Sequence, residues 1–217
     1  MSYKGNSYIF TATCMISKLL FSVSISSKDA ITVSSALYNL FTTFGGCGTI
    51  PSDQGTEFTA QVTSEVCRLM GISQQFTPSF AHHCLGACER MHRTLEERLT
   101  PYVDKQKRNC DEKLPSIAFA INQSVNSTLG YSPFEVVFGY RPRFPLSPVS
   151  LTGNLHSLPK YCQEYMASFL EKLRTIRTEV QNNIEANKET MVARTNLKSH
   201  PLHLNVGDYV YLSIPAV

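Results

Sequence analysis

Segments with the alternation typical of β-strands and segments with helical periodicity succeed one another from Tyr8 to Tyr140. Two runs rich in β-branched and aromatic residues, Tyr8 to Cys14 and Leu19 to Ile25, are close enough to form a hairpin. A helix is predicted next, with Asp29 as its N-cap. Its apolar positions recur at spacings of three and four, and they are Val33, Ala36, Leu37, Leu40, Phe41 and Phe44. Strands that alternate with helices in this way predict an α/β layered domain.

The pattern continues with predicted short strands at Thr49 to Ser52 and at Ile72 to Phe76. Helices are predicted between and after them, over Phe58–Met70, Gly86–Val103 and Leu114–Asn122. The residues expected to face inward on the first two of these helices are Val62, Val66, Leu69, Met70, Met91, Leu95, Leu99 and Tyr102. A last helix of the core is predicted to begin at Ser132, because Ser132 can cap it and Glu135 completes a capping box.

The rest of the chain is predicted to extend beyond this core. Four prolines and little periodicity between Arg141 and Pro159 indicate a linker. A long helix follows, and its apolar stripe fits either packing against the core or a coiled-coil seam between two copies. The run from Leu204 to Leu212 is typical of the first strand of a small β-domain. We therefore predict a core domain over 1–145, a linker over 146–159, a helical segment over 160–199 and the start of a β-domain over 200–217.

Composition restricts the class of protein. Apolar residues make up 42% of the chain, which is enough to bury a sizeable core. The net charge of +3 does not indicate nucleic-acid binding by itself, so such binding depends on local patches. Lys18 interrupts the most apolar N-terminal stretch, which argues against a membrane or secreted protein. The cysteines are odd in number, 7, and lack a framework spacing, which indicates reduced thiols in an intracellular protein.

One cluster of possible zinc ligands contains His82, His83, Cys84 and Cys88. Structural zinc sites usually divide their ligands into two separated pairs, and no second pair follows in this sequence. We therefore favour a loop with buried or idle thiols over a zinc site.

Two carboxylates, Asp53 and Glu89, lie in settings that favour a shared metal ion, with 35 residues between them. Asp53 ends a predicted strand, a usual place for α/β active sites, and Gly55 allows a tight turn after it. Glu89 falls on the first turns of a helix, with Arg93 on the same face. Hard divalent ions such as Mg²⁺ take carboxylate ligands. The neighbouring arginines can either form an ion pair with Glu89 or bind phosphate. The ordinary alternative is an aspartate in a turn and a glutamate in a surface ion pair.

Four segments, in order, resemble the integrases of Gypsy-type retrotransposons. The motif at 52–58, SDQGTEF, looks like their second-aspartate motif, and ERMHRTL at 89–95 resembles their glutamate helix. The run at 130–142, GYSPFEVVFGYRP, is similar to the signature that closes their catalytic core. NVGDYV at 205–210 resembles the start of their C-terminal β-barrel. The resemblance implies an RNase H-like three-layer core with a mixed sheet, followed by a long helix and the start of a small β-barrel.

The same resemblance implies DNA integration by a polynucleotidyl transferase that uses Mg²⁺ or Mn²⁺ in two-metal phosphoryl transfer. Asp53 and Glu89 take the positions of catalytic metal ligands. The implied partners are the DNA ends of the element, target DNA and further copies of the chain, with no membrane and a nuclear location. The residues predicted to contact nucleic acid are Arg90, Arg93, Lys105 and Lys107. An equally good interpretation is that these basic residues belong to a solvent-exposed surface of mixed charge, together with Glu96, Glu97 and Asp104.

One part of the family pattern is not matched. The family has three carboxylates, and its first aspartate lies shortly before a segment that corresponds to Gly5–Ile9 here. None of the four residues that precede Gly5 is acidic. The resemblance therefore predicts a chain that lacks the first ligand and a central strand, exposes the edges of the neighbouring strands, and is inactive alone. The alternative is a non-enzymatic DNA-binding or scaffold protein that reuses the fold.

Overall fold

The computed structural model describes residues 1–77, 86–106, 108–142 and 162–198. Its strands are β1 (Tyr8–Thr13), β2 (Leu20–Ile25), β3 (Thr49–Ser52) and β4 (Ser73–Phe76). Its α-helices are α1 (Ala30–Phe44), α2 (Thr56–Thr59), α3 (Gln61–Leu69), α4 (Gly86–Leu99), α5 (Cys110–Gln123), α6 (Pro133–Phe138) and α7 (Cys162–Lys198). A 3₁₀ turn, Thr100–Tyr102, follows α4. None of the helices in these ranges is long and apolar enough to cross a membrane.

The first two strands form the predicted hairpin. They are antiparallel, with Tyr8 opposite Ile25 and Thr13 opposite Leu20. Two hydrogen bonds close the turn between them, from the amide of Cys14 to the carbonyl of Leu19 (3.0 Å) and from the amide of Lys18 to the carbonyl of Cys14 (2.9 Å). Lys18 has a φ of 59°, a conformation that residues other than glycine seldom adopt. The turn thus fixes the point at which the Lys18 side chain emerges.

The described strands form two separate sheets. β3 and β4 are parallel and pair only with each other, while β1 pairs with β2. Within the described ranges, β1 and β3 therefore each keep one edge without a strand partner. Pro51 on β3 has no N–H to donate, which suits an edge strand. Ile9 and Thr11 of β1 and Ile50 and Pro51 of β3 line one cavity of about 470 Å³.

Helices cover both faces of these strands and make the expected three layers. Asp29 caps α1 as predicted, because its carboxylate accepts a hydrogen bond from the amide of Thr32 at 2.9 Å. The core between α1, α3 and the strands contains Phe10, Ile25, Val33, Ala36, Leu37, Phe41, Cys67 and Ile72. The core that α4 and α5 form against β2 contains Leu20, Leu95, Leu99, Leu114, Ala118 and Ile121.

Three predicted helices have different bounds in the structure, and the one predicted over Leu114–Asn122 begins four residues earlier, at Cys110. The segment Phe58–Met70 is not one helix, because extended backbone at Ala60 (ψ 144°) separates α2 from α3. The helix predicted over Gly86–Val103 ends at Leu99, where the 3₁₀ turn containing Pro101 begins. Tyr102 is consequently 63% exposed instead of facing inward.

The buried face of α3 also differs from the prediction. Val62 and Leu69 are exposed, whereas Thr63 and Cys67 are buried. Thr63 is tolerated there because its hydroxyl donates to the carbonyl of Glu57 at 2.6 Å and lies 3.0 Å from the hydroxyl of Ser34. A polar residue whose hydrogen bonds are all made is thus buried on α3, where the sequence periodicity predicted that other, apolar residues would be buried.

The helix α6 begins with the predicted capping box. The Ser132 hydroxyl accepts from the amide of Glu135 at 3.2 Å, and the Glu135 carboxylate accepts from the amide of Ser132 at 3.3 Å. Arg141 forms an ion pair with Glu135 at 2.7 Å. Burial alone would raise the pKa of Glu135, but the hydrogen bonds from Arg141 and Ser132 lower it below its ordinary value. The carboxylate therefore stays charged and ties the end of this segment to its start.

The long helix α7 packs back against the segment around α6, one of the two arrangements that the sequence left open. Ile176 and Val180 of α7 are buried against Leu129 and Val136. The side-chain amide of Asn183 donates to the carbonyl of Leu129 at 2.9 Å. The signature segment at 130–142 therefore serves as the docking platform for α7. Pairing of two copies through the rest of α7 stays a prediction.

The close approach of α7 depends on Gly139, which has a φ of +76°. A Cβ atom at this position would lie 2.8 Å from Cδ2 of Leu173. We expect Gly139→Ala to lower the free energy of unfolding by about 2–4 kcal/mol, since backbone strain adds to overpacking. Gly71→Ala is the matched control, because Gly71 has a φ of +69° but open space around it. Urea unfolding should show a loss of only about 1–2 kcal/mol for the control; equal losses in both variants would contradict docking of α7 at Gly139.

Several predictions fall on residues outside the described ranges. These are the linker over 146–159, the β-barrel start over 200–217, the loop residues His82, His83 and Cys84, and Lys107.

Candidate metal and nucleic-acid site

Asp53 lies directly after β3, where the sequence placed it, and its side chain is exposed. Its Oδ1 accepts a hydrogen bond from the amide of Gly55 at 3.1 Å, which shapes the turn into α2. A Cβ atom at Gly55 would lie 2.9 Å from a carboxylate oxygen of Glu57 and 3.1 Å from Asp53 Oδ1, so a larger residue would displace these two carboxylates. The side chain of Gln54 donates to the carbonyl of Thr77 at 3.1 Å and anchors the turn to the chain after β4. Asp53 is therefore held by a rigid turn at the end of a strand.

Glu89 lies in the first turn of α4 and is also exposed. The helix is held against β1, because Nε2 of His92 lies 2.5 Å from the hydroxyl of Thr11 and Leu95 is buried one turn later. This contact sets the N-terminal end of α4, and with it Glu89, beside the strand.

Cys88 shows that the two carboxylates share one region of the molecule. Its thiol is half-buried and lies beside the hydroxyls of Thr11 and Thr13 on β1. Burial raises the pKa of Cys88, and the negative charges of Glu89 and Asp53 raise it further. Asp53 also lines the same cavity as Cys88 and His92, and Glu89 follows Cys88 on α4, so the two carboxylates lie in one region although they come from different elements.

The candidate metal site contains two carboxylates in the part of the chain that the structure describes. Exposed carboxylate oxygens are the donors that Mg²⁺ and Mn²⁺ prefer. Within residues 1–77, 86–106, 108–142 and 162–198, no three side chains of histidine, cysteine, aspartate or glutamate are gathered around one point. The described residues therefore fit part of a ligand set, not a complete one.

The basic residues predicted to contact nucleic acid do not all lie together. Arg90 and Arg93 are exposed on α4 next to Glu89, and neither forms an ion pair with it. Lys105 is exposed but follows the other end of α4, which is about 15 Å of helix away from Glu89. A nucleic acid that contacts all three residues would have to run along α4.

Sequence reasoning missed the residues that attach α4 to the strand. Cys88 and His92 are four residues apart and so share one face of α4, which was visible in the sequence. Their partner Thr11 lies 81 positions from His92, and no local pattern indicates that contact.

Comparison with known proteins supports the same assignment. Residues 1–81 match the family model of the integrase core domain. The chain is 29% identical over 214 residues to the retrovirus-related Pol polyprotein from transposon 412 of Drosophila melanogaster. The matched segment covers 97% of this chain and 17% of that polyprotein. It is 24% identical over 222 residues to Gypsy retrotransposon integrase-like protein 1 of Homo sapiens, covering 96% of this chain and 42% of that protein. The chain thus spans less than half the length of these relatives.

Solved structures show the fold. The catalytic core domain of BIV integrase superposes with a TM-score of 0.52 and 24% identity, covering 60% of this chain and 85% of that one. The HTLV-2 integrase catalytic core domain, solved with magnesium in a trimeric form, has a TM-score of 0.53 and 18% identity and covers 63% and 89% of the two chains. The fold is that of the RNase H-like integrase catalytic cores, as predicted. The matches along the sequence further confirm that this chain is related to the integrases of Gypsy-type retroelements.

Proposed function

We propose that this chain is the DNA-binding core of a retroelement integrase, a polynucleotidyl transferase that integrates DNA by metal-dependent phosphoryl transfer. The observation that supports it is that Asp53, at the end of β3, lines the same cavity as Cys88 and His92 of α4, and Glu89 is the residue next to Cys88. Arg90 and Arg93 add two cations to the same end of α4, and neither pairs with an acidic side chain among the residues that the structure describes. Carboxylates for a metal ion and cations for phosphate are the groups that phosphoryl transfer requires.

The two carboxylates would hold one face of a divalent metal ion, Mg²⁺ or Mn²⁺. A bound ion of this kind polarises phosphate oxygens and lowers the pKa of bound water. The turn of Asp53–Gly55 and the contact of His92 with β1 would keep the two ligands in place. Because the described residues gather no set of three possible ligands around one point, we infer that the polypeptide alone holds its metal weakly and does not cut DNA.

The incomplete ligand set also supports a second candidate, a non-enzymatic DNA-binding or scaffold protein with an integrase fold. Both candidates require DNA binding through Arg90 and Arg93, and they differ in whether additional polypeptide restores catalysis. In either case we propose DNA and further copies of the chain as partners, and the nucleus as the location.

The test is DNA binding by the purified 217-residue chain, measured by fluorescence anisotropy with a labelled duplex over a range of salt concentrations. We expect binding, with no nicking or joining of DNA in Mg²⁺ or Mn²⁺. Arg93→Gln should reduce the slope of log K against log salt by about 0.9, because one phosphate contact is lost. Arg68→Gln is the control, since Arg68 is already paired with Glu65 at 2.6 Å. Absence of DNA binding would contradict the proposed function, and DNA cleavage would contradict inactivity.

A further inference from the structure

We propose that the cavity between β1 and β3 binds an extended polypeptide segment of another molecule, which adds one strand between the two sheets. The cavity has a volume of about 470 Å³, and all 6 residues of β1 and three of the 4 residues of β3 line it. Successive strand residues point to opposite faces, so a cavity that touches all of them lies along the edge of the strand and not over one face. Binding of this kind is independent of DNA binding.

The edge of β1 that faces this cavity, its inner edge, has a row of free backbone groups. Leu20, which lies opposite Thr13 on β2, uses its amide and carbonyl to bond the side chain of Asn122 on the outer edge of the hairpin. Hydrogen bonds in an antiparallel pair alternate along the strand, so Ile9, Thr11 and Thr13 all direct their amides and carbonyls away from β2. No strand in the described ranges pairs with these groups. The inner edge of β1 can therefore accept a further strand.

The two edges along the cavity differ in how well they can pair. β1 contains neither a proline nor a charged residue, which are the usual means of protecting an edge strand from pairing. On β3, the carbonyl of Ser52 accepts from the amide of Thr77 at 2.9 Å, so the alternate residues Thr49 and Pro51 point away from β4. Pro51 has no N–H, which leaves β3 with fewer donors on that edge. An inserted strand thus pairs mainly with β1.

The walls of the cavity define the chemistry of the segment that fits. One wall belongs to the core under α1 and is apolar, with Phe10, Val33 and Leu37. The opposite wall belongs to α4 and is polar, and there Thr11 lies against His92. Side chains of a strand alternate between its two faces, so the matching segment has apolar residues at every second position and small polar residues between them.

The backbone of the inner edge favours a polypeptide over other ligands. Its donors and acceptors recur at every second residue of β1, which is a repeat of about 7 Å. Another extended polypeptide has acceptors and donors at the same repeat, and main-chain bonds of this type supply most of the affinity when a strand is added to a sheet. A nucleic acid has no such row of amides and carbonyls.

The first experiment measures amide hydrogen exchange of the 217-residue chain by NMR, with and without a synthetic peptide. The peptide has about eight residues, enough to span β1, in which valine alternates with threonine, and a lysine at each end keeps it soluble. The amides of Ile9, Thr11 and Thr13 should exchange at least about tenfold more slowly with the peptide, because they gain hydrogen-bond partners. The amides of Phe10 and Ala12 already bond to β2 and should not change.

A second peptide of the same composition, with its valines consecutive, is the matched control. Its apolar residues cannot all face α1, so it should protect none of these amides. Equal protection by both peptides would overturn the chemistry assigned to the walls, and no protection by either would overturn the site. Protection of Ser22 and Ser24 alone would place the peptide on the outer edge of β2 and would also overturn the site. Protection that grows with the concentration of the chain, without peptide, would assign the inner edge to a second copy instead.

The second experiment compares three variants by fluorescence anisotropy of the labelled peptide. Thr11 and Ser22 lie opposite each other in the hairpin, and each directs its N–H away from the other strand. Proline at either position therefore keeps the bonds between β1 and β2, but only Thr11→Pro removes a donor from the inner edge. Thr11→Pro should abolish peptide binding, whereas Ser22→Pro should bind within about twofold of the unchanged chain.

The third variant, Thr11→Val, removes the hydroxyl contact with His92 but keeps the N–H, so it should still bind the peptide. Unfolding temperatures of all three variants separate lost binding from misfolding. If Thr11→Pro does not fold, the exchange experiment decides alone, since it needs no variant. A loss of binding in Ser22→Pro or Thr11→Val as large as that in Thr11→Pro would overturn pairing along the inner edge of β1.

Discussion

Replacing Asn122 by aspartate is expected to lower the free energy of unfolding by about 2–4 kcal/mol, because one hydrogen bond is lost and a backbone carbonyl is left unpaired beside a new charge. Asn122 lies on α5 and completes the outer edge of β2. Its Nδ2 donates to the carbonyl of Leu20, and its Oδ1 accepts from the amide of Leu20, both at 2.8 Å. One side-chain amide thus supplies the donor and the acceptor that a neighbouring strand would supply. Leu20 is only 2% exposed, so water cannot replace the lost donor easily.

The matched control is Asn39→Asp on α1, which makes the same chemical change at an exposed position. Oδ1 of Asn39 accepts a hydrogen bond from the Thr43 hydroxyl at 3.2 Å, and aspartate keeps that acceptor. Urea unfolding at neutral pH should therefore show a change of no more than about 0.5 kcal/mol for this variant. If both variants lose the same small amount, the edge of β2 is not stabilised by Asn122.

The features that the sequence predicted well are those with a local cause. The hairpin of β1 and β2, the Asp29 cap and the Ser132–Glu135 capping box all depend on residues within a few positions of each other. The bond between Asn122 and Leu20 joins residues 102 positions apart, and no local pattern contains it. The burial of Thr63 has the same origin, since its partner Ser34 lies 29 positions away. Tertiary contacts thus decided which polar side chains are buried.

The candidate site was predictable to a similar extent. The motif at 52–58 predicted Asp53 at the end of a strand, and the segment around Glu89 predicted a helix. In the structure Asp53 follows β3 and Glu89 lies in the first turn of α4. The position of Glu89 relative to Asp53 depends on the packing of α4 against Thr11, which only the folded chain determines.

The second large effect that we expect is a loss of metal affinity when either Asp53 or Glu89 is replaced. We expect Mn²⁺ to bind the purified chain with a Kd of about 1 mM, as in the weakest sites built from oxygen ligands. Asp53→Asn and Glu89→Gln should each weaken this binding by about tenfold or more, and the double variant should be no weaker than either single variant. Electron paramagnetic resonance of free Mn²⁺ measures the bound fraction directly. Glu112→Gln, a change in the first turn of α5, is the control and should bind as the unchanged chain does.

The stability of the metal-free variants separates loss of a ligand from misfolding. Asparagine at position 53 keeps the oxygen that accepts from the amide of Gly55, so the turn should survive the change. Asp53 forms no ion pair among the described residues, so Asp53→Asn should unfold at about the same temperature without metal. Excess Mn²⁺ should raise the unfolding temperature of the unchanged chain and leave that of the variant unaltered. Micromolar binding by the unchanged chain would contradict a set of two carboxylates, and a Glu89→Gln variant that keeps full affinity would show that Glu89 does not share the ion with Asp53.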